Sequence, residues 1–233
     1  MSVRTAIDRF RFRGAVAPPV VASRIGEWCS KATGSATIAA VSGGAMALTL
    51  AATSEVENGC LYMGDILPYD IDDLIRVEIM AKVSGTLASA TSLAFGLASA
   101  RNDAIDSIDY AALFRAIANN TIVLESDDGV NNVDDAAADG ATITTSYKRF
   151  VIDFATGIKT QSAPSLSLGG KSNLLFYVSN GNGSLRQVGK NTSFNMANYA
   201  GNLQLFAQLQ KTSSTDTLTL SILGFDVEYK LPA

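Results

Sequence analysis

The stretch DILPYDIDDLIRVEIMAKV, Asp65 to Val83, decides how this chain is read. Its second half alternates. Ile75, Val77, Ile79, Ala81 and Val83 fall on one face, and Arg76, Glu78, Met80 and Lys82 fall on the other. A period of two with one apolar face predicts a half-buried β-strand. Arg76 and Lys82 flank Glu78 on its own face, so paired surface charge accounts for that carboxylate without chemistry. The first half reads as a loop holding Asp65, Asp70, Asp72 and Asp73 around Pro68. Paired carboxylates on a rigid frame can work as acid and base. At uneven spacing in a loop, they instead bond nearby backbone amides and shape a turn.

Outward from this strand the same period recurs. ATIAAVSGGAMALTLAA holds two apolar runs, Ala36 to Val41 and Ala45 to Ala51, about a tight SGG turn, which predicts a hairpin. NGCLYMGD predicts a strand beginning after Asn58-Gly59. YAALFRAI and TIVLES predict a pair turning at Asn119-Asn120. YKRFVIDFA places Phe150, Ile152 and Phe154 inward, and NLQLFAQLQ alternates Leu203, Leu205, Ala207 and Leu209 with Gln204, Phe206, Gln208 and Gln210. The last run, TLTLSILGFDVEYKL, has Gly224 near its middle, where a bulge fits. Ten or more short strands with little helical period predict an all-β sandwich or jelly roll. No repeat of fixed period points to a propeller or solenoid.

With 233 residues and nearly half of them apolar, the chain can bury one sizeable β core. Histidine is absent, which removes the commonest general base and every Ser/His or Cys/His pairing. A net charge of −4 argues against a nucleic-acid partner. No run reaches the roughly 18 apolar residues of a membrane helix, and the first residues lack the apolar core of a signal peptide. Cys29 and Cys60 match no zinc pattern and read as two small buried thiols. No catalytic residue and no cofactor-binding residue is assigned.

Three segments stand out beyond the strands. ESDDGVNNVDDAAADG, Glu125 to Gly140, offers hard oxygen ligands of the kind calcium takes, with Asp127, Asp128, Asp134 and Asp135 as the candidates. Its spacing is not that of an EF-hand, and a solvated acidic loop is the simpler expectation. SNGNGSLRQVGKN is a turn-rich loop in which Asn182 and Arg186, with Tyr177, are candidates to hold a sugar. Residues 1–27 read as an extended N-terminal arm ahead of a domain spanning 28–233. RFRFR supplies the interface candidates Arg9, Phe10, Arg11, Phe12 and Arg13, and Pro18-Pro19 enforces an extended path. Two readings stand side by side: an arm laid on a neighbouring subunit, or a first strand followed by a surface linker.

Several of these residues resemble known proteins. Glu27-Trp28, SGGAMALTL, VEIMAKV and KRFVIDF are similar to concanavalin-like jelly rolls. LYMGDILPYDIDDLIRVEI, LAFGLASARND and NYAGNLQLFAQLQKT resemble a group of structural proteins of tailed bacteriophages, over about Trp28 to Tyr229. The resemblance implies a non-enzymatic virion component, made in the host cytoplasm. It would be a capsid decoration or cement protein that binds the major capsid protein, as a homotrimer, with no nucleic acid or membrane partner. The alternative is a carbohydrate-binding or receptor-binding module of a phage tail. Glucanases with such a sandwich carry Glu-x-Asp-x-x-Glu on one strand; here RVEIMAKV has only Glu78, which with Asp153 would be left to act.

Overall fold

A computed structural model describes residues 5–12, 28–154 and 170–231. The strands in chain order are β1 (Thr5–Arg11), β2 (Cys29–Thr33), β3 (Thr37–Val41), β4 (Ala45–Thr49), β5 (Glu55–Tyr62), β6 (Tyr69–Asp70), β7 (Leu74–Val83) and β8 (Thr91–Ala98). After a 3-10 turn at Ile105–Ser107 come β9 (Tyr110–Ile117), β10 (Thr121–Asp128), β11 (Asn132–Thr142) and β12 (Lys148–Asp153). The remainder are β13 (Leu175–Ser179), β14 (Leu185–Val188), β15 (Asn202–Ser214) and β16 (Thr219–Lys230). No helix among the described residues is long and apolar enough to cross a membrane.

The strands form two antiparallel sheets packed face to face, the concanavalin-like jelly roll. The first runs β14-β13-β12-β7-β16-β4-β3, and the second runs β11-β10-β9-β8-β15-β5-β2. β16 is long enough to hold β4 along Thr219–Ile222 and β1 along Gly224–Lys230, end to end on one edge. Strands β15 and β16 follow one another in the chain yet sit at the centres of opposite sheets, so their connection ties the layers together.

The core lies between the two inner faces. Val77, Ile79, Ala81 and Val83 of β7 meet Leu93, Phe95 and Leu97 of β8 and the Leu203–Leu209 alternation of β15. At the start of β7 the pattern departs from strict alternation. A register shift against β16 falls between Arg76 and Leu74, and Leu74 rather than Ile75 enters the main core. The bulge expected near Gly224 is present, as a register shift between Ile222 and Gly224.

Two smaller apolar clusters sit outside the sandwich proper. Val151, Leu175 and Tyr177 form one on the first sheet. On the outer face of the second sheet, Ile105 and Ile108 from the loop 99–109 pack onto Cys60, Ala94, Leu113 and Phe206. This explains why Phe206 is buried on the outer face of β15, between Gln204 and Gln208 along the strand. Cys29 and Cys60 are both buried free thiols.

Three expectations change on contact with the structure. Asn58-Gly59 lies inside β5 rather than ahead of a strand, because β2 and β15 pair with it on both sides and the Asn58 amide bonds Asp103 O at 2.7 Å. The acidic run 125–140 is a β-hairpin of β10 and β11, not a solvated loop. Glu78 is paired across strands rather than along its own: Arg149 Nε and Nη2 donate to its two oxygens at 2.8 and 2.7 Å, while Arg76 pairs with Glu228 at 3.0 Å.

Candidate functional site

The N-terminal residues face inward and outward by turns. Phe10 and Phe12 turn in, with ring centroids 5.6 and 5.4 Å from Trp28, which in turn stacks on Phe225. Arg11 turns out and pairs with Asp226 at 2.6 and 2.9 Å, and Arg9 is exposed beside it. Arg9, Phe10 and Arg11 belong to a strand of the chain's own sheet and Phe12 follows directly on it; Arg13 lies outside the described residues.

Of the opening carboxylates, Asp65 accepts from Gln204 Nε2 at 2.7 Å and from the Arg101 amide at 3.2 Å. Asp70 caps the Asp72 amide at 2.9 Å, and Asp72 pairs with Lys171 at 2.9 Å. They shape the loop between β5 and β7. Asp153, the second carboxylate considered for hydrolysis, is fully buried next to Arg76 in register.

The calcium candidates split into two environments. Asp134 and Asp135 stand together opposite Glu125, because a bulge lets β11 run one residue long there, with Asp135 at φ 50°. Both face the buried guanidinium of Arg115, at 3.1 and 3.4 Å, as do Glu125 at 2.5 Å and Asp106. Burial pushes the Glu125 carboxyl up to about 7, against the pull of Arg115, and Asp134 and Asp106 add to the rise. Asp127 and Asp128 sit at the hairpin tip instead. Asp127 accepts from the Gly129 amide at 2.7 Å. Asp128 accepts from the amides of Val130, Asn131 and Asn198 and from both Asn131 and Asn198 side chains. Burial pushes its carboxyl up, but those donors outweigh burial and hold it well below the ordinary carboxylate range. Among the described residues no cluster of acids is arranged to hold a metal ion.

The loop around Asn182 does not converge on a sugar. Asn182 Oδ1 is occupied by the Ser184 amide and hydroxyl, and Arg186 donates to Asp139 O at 3.1 Å. Tyr177 is buried in the small outer cluster of the first sheet. The residues that do converge come from the start of β9 and from the β10–β11 turn, set side by side by strand register.

That convergence is at one end of the sandwich. Asp109, Tyr110, Asp127, Gly129, Val130 and Asn132 line a cleft of about 390 Å³. Asp128 fixes it, because its five bonds join the β10–β11 turn to the 189–201 connection. The Tyr110 ring stacks on Tyr199 at 4.6 Å and stays partly exposed. Gly129, at φ 82°, lies against the Cε1 side of that ring, where a β-carbon would strike it. The result is an aromatic surface ringed by carboxylate and amide oxygens, with exposed Val130 at the lip. Such a set can stack on an apolar face and accept and donate several hydrogen bonds at once.

The fold defined by these two sheets is that of lectin-like sandwiches. Among solved structures, the chain superposes on a protein of unknown function from Shewanella oneidensis MR-1 with TM-score 0.56 and 12% identity, covering 99% of this chain and 90% of that one. The exoplasmic/lumenal domain of VIP36, in its Ca2+/Man3GlcNAc-bound form, gives 0.55 at 11% identity, over 89% and 85%. Peanut lectin gives 0.55 at 10% identity, over 99% and 100%. No family model and no curated protein matches the chain.

Proposed function

We propose that this protein is a non-enzymatic carbohydrate-binding module whose site is the Tyr110 cleft. The observation that carries the reading is the partly exposed Tyr110 ring framed by Asp109, Asp127 and Asn132 on loops tied together by Asp128. A pyranose presents a C–H face to such a ring and hydroxyls to its rim, which is how a concave site with few polar groups gains orientation. The fold is shared with VIP36, crystallised with an oligosaccharide, and with UEA-II, crystallised with galactose. On a glycan array, the full chain should retain a defined set of glycans. Tyr110→Ala and Asn132→Ala should each remove that binding, and Asn132→Ala, at an exposed rim residue, should leave Tm within about 2 °C. Retention of no glycan, or binding indifferent to both changes, would overturn the reading.

A second reading is favoured by the sequence resemblance from Trp28 to Tyr229 and by sparse charge, 17% of residues. In it the protein is a virion component of a tailed bacteriophage, decorating the head as a trimer on the major capsid protein. Avidity from many symmetric contacts would then supply the affinity. Quantitative mass spectrometry of purified particles separates the settings. A ratio near one per coat subunit supports decoration, tens of copies per particle support a glycan-binding tail position, and absence removes the virion setting.

A further inference from the structure

We infer that the outer face of the second sheet carries a second binding groove, built for a neutral oligosaccharide laid across the strands. Thr33, Asn58, Gln210 and Ser92 are partners in register on β2, β5, β15 and β8. They form one straight row of uncharged hydrogen-bonding side chains, spanning roughly 14 Å at about 4.8 Å between strands. The row lines a groove of about 380 Å³, toward the lower end of the ~300–1,000 Å³ typical of small-ligand sites. Asp103 and Ala104 of the 99–109 loop form one wall, and Val56, 66% exposed, stands at the lining's apolar side.

Two buried amides make this more than a polar surface. Asn58 Nδ2 and Gln208 Nε2 both donate to Asp103 O, at 2.7 and 3.1 Å, so each amide is held with its nitrogen toward the loop. Their oxygens, Asn58 Oδ1 and Gln208 Oε1, are buried and meet no donor among the described residues. A buried acceptor without a donor is unfavourable; Asn58 lies in the groove lining and Gln208 next to it on β15, so the groove is short of donors there. Hydroxyl groups supply them, and Thr33 and Ser92 can both give and accept in return.

Charge selects the class of ligand. The ionised side chains in the lining are already compensated: Glu57 pairs with Lys211 at 3.2 Å, and Asp103 pairs with Lys31 at 3.3 Å and with Arg101. An anionic or cationic ligand would find no free counter-charge there, whereas a neutral polyhydroxylated chain needs none. The groove is also separate from the Tyr110 cleft. Ser92 pairs with Ile117, at the far end of β9 from Tyr110, about 20 Å away along the strands.

The test is NMR on the full 15N-labelled chain, titrated in turn with maltohexaose, cellohexaose and mannohexaose, following the side-chain amide signals of Asn58, Gln208 and Gln210. At least one of the three sugars should move these signals, and Gln210→Ala or Ser92→Ala should weaken that binding about tenfold, the worth of roughly one hydrogen bond. Shifts confined to Gly129, Tyr110 and Asn132 would overturn the groove while leaving the Tyr110 cleft standing. Shifts confined to the groove would support it and count against the cleft. If none of the three sugars moves any of these signals, the groove proposal fails.

Discussion

At Gly224 a β-carbon would lie inside contact distance of the Phe10 carbonyl oxygen, so β1 approaches β16 only because this residue has no side chain. Gly224→Ala should force β1 outward, at a cost of about 1–3 kcal/mol. Trp28, the single tryptophan, reports the change because Phe10 and Phe12 shield it. Its emission should shift to the red and Tm should fall, and an unaltered spectrum would show that the strand does not need the glycine. Glu57 and Lys211 present a different residue-level balance. Both are fully buried, and Lys211 also donates to Ala51 O, Thr53 O and Asp216 O at 2.5, 2.8 and 3.2 Å. Removing one partner strands a charge in the interior. Lys211→Met is therefore expected to cost about 3–5 kcal/mol, and the Glu57→Gln/Lys211→Met double change less than that. Urea unfolding of these two variants and of Glu57→Gln alone measures it, and a double change as costly as the sum of its parts would refute the coupling.

The β10–β11 hairpin shows how elements carry charge. Arg115 is surrounded by Glu125, Asp106, Asp134 and Asp135, contributed by β10, the 3-10 turn and the bulged β11. Glu125 has a folded-state value of about 7 against an ordinary 4.5. The folded protein therefore binds more protons than the unfolded chain between those two values. Stability from this group is fully present below about 4.5 and is lost as pH rises toward 7. Glu125→Gln mimics the protonated form, so its Tm relative to the unaltered protein should rise between pH 5 and pH 8. A difference that is flat or falls over that range would contradict the assignment. The hairpin was hard to recognise in sequence because its acids look solvated. What makes it a strand pair is one buried arginine on β9 and the amides that close around Asp128.

At the scale of the molecule, the first sheet is completed by a strand that the N-terminus supplies. β1 contributes a full row of backbone pairing to β16, and Phe10 and Phe12 complete the cover over Trp28. Deleting residues 1–12 should thus destabilise the sandwich itself by several kcal/mol, since burying a Phe alone is worth about 3–5 kcal/mol against Ala. In a chain of this size each kcal/mol is about 2–4 °C in Tm. Thermal unfolding of the truncated chain checks it, with an unchanged Tm as the contrary result.

Strands β3, β4, β7, β9, β10, β12, β15 and β16, with the inward faces of β7, β12 and β15, followed from the sequence alone. Alternation at period two is a local property, and a buried face writes it directly into the residues. The same holds for the bulge at Gly224, where a small residue interrupts a long strand. The sites did not follow in that way. Tyr110, Asp127 and Asn132 come side by side through the register of β9, β10 and β11, with Asp128 tying that end to the 189–201 connection, and the row from Thr33 to Ser92 exists only once four strands are in register. Pairing partners separated by up to some 150 residues leave no mark on one another's neighbours in the chain. Register and loop closure are set by the packing of the whole sandwich, and that packing decided where this protein's polar side chains came together.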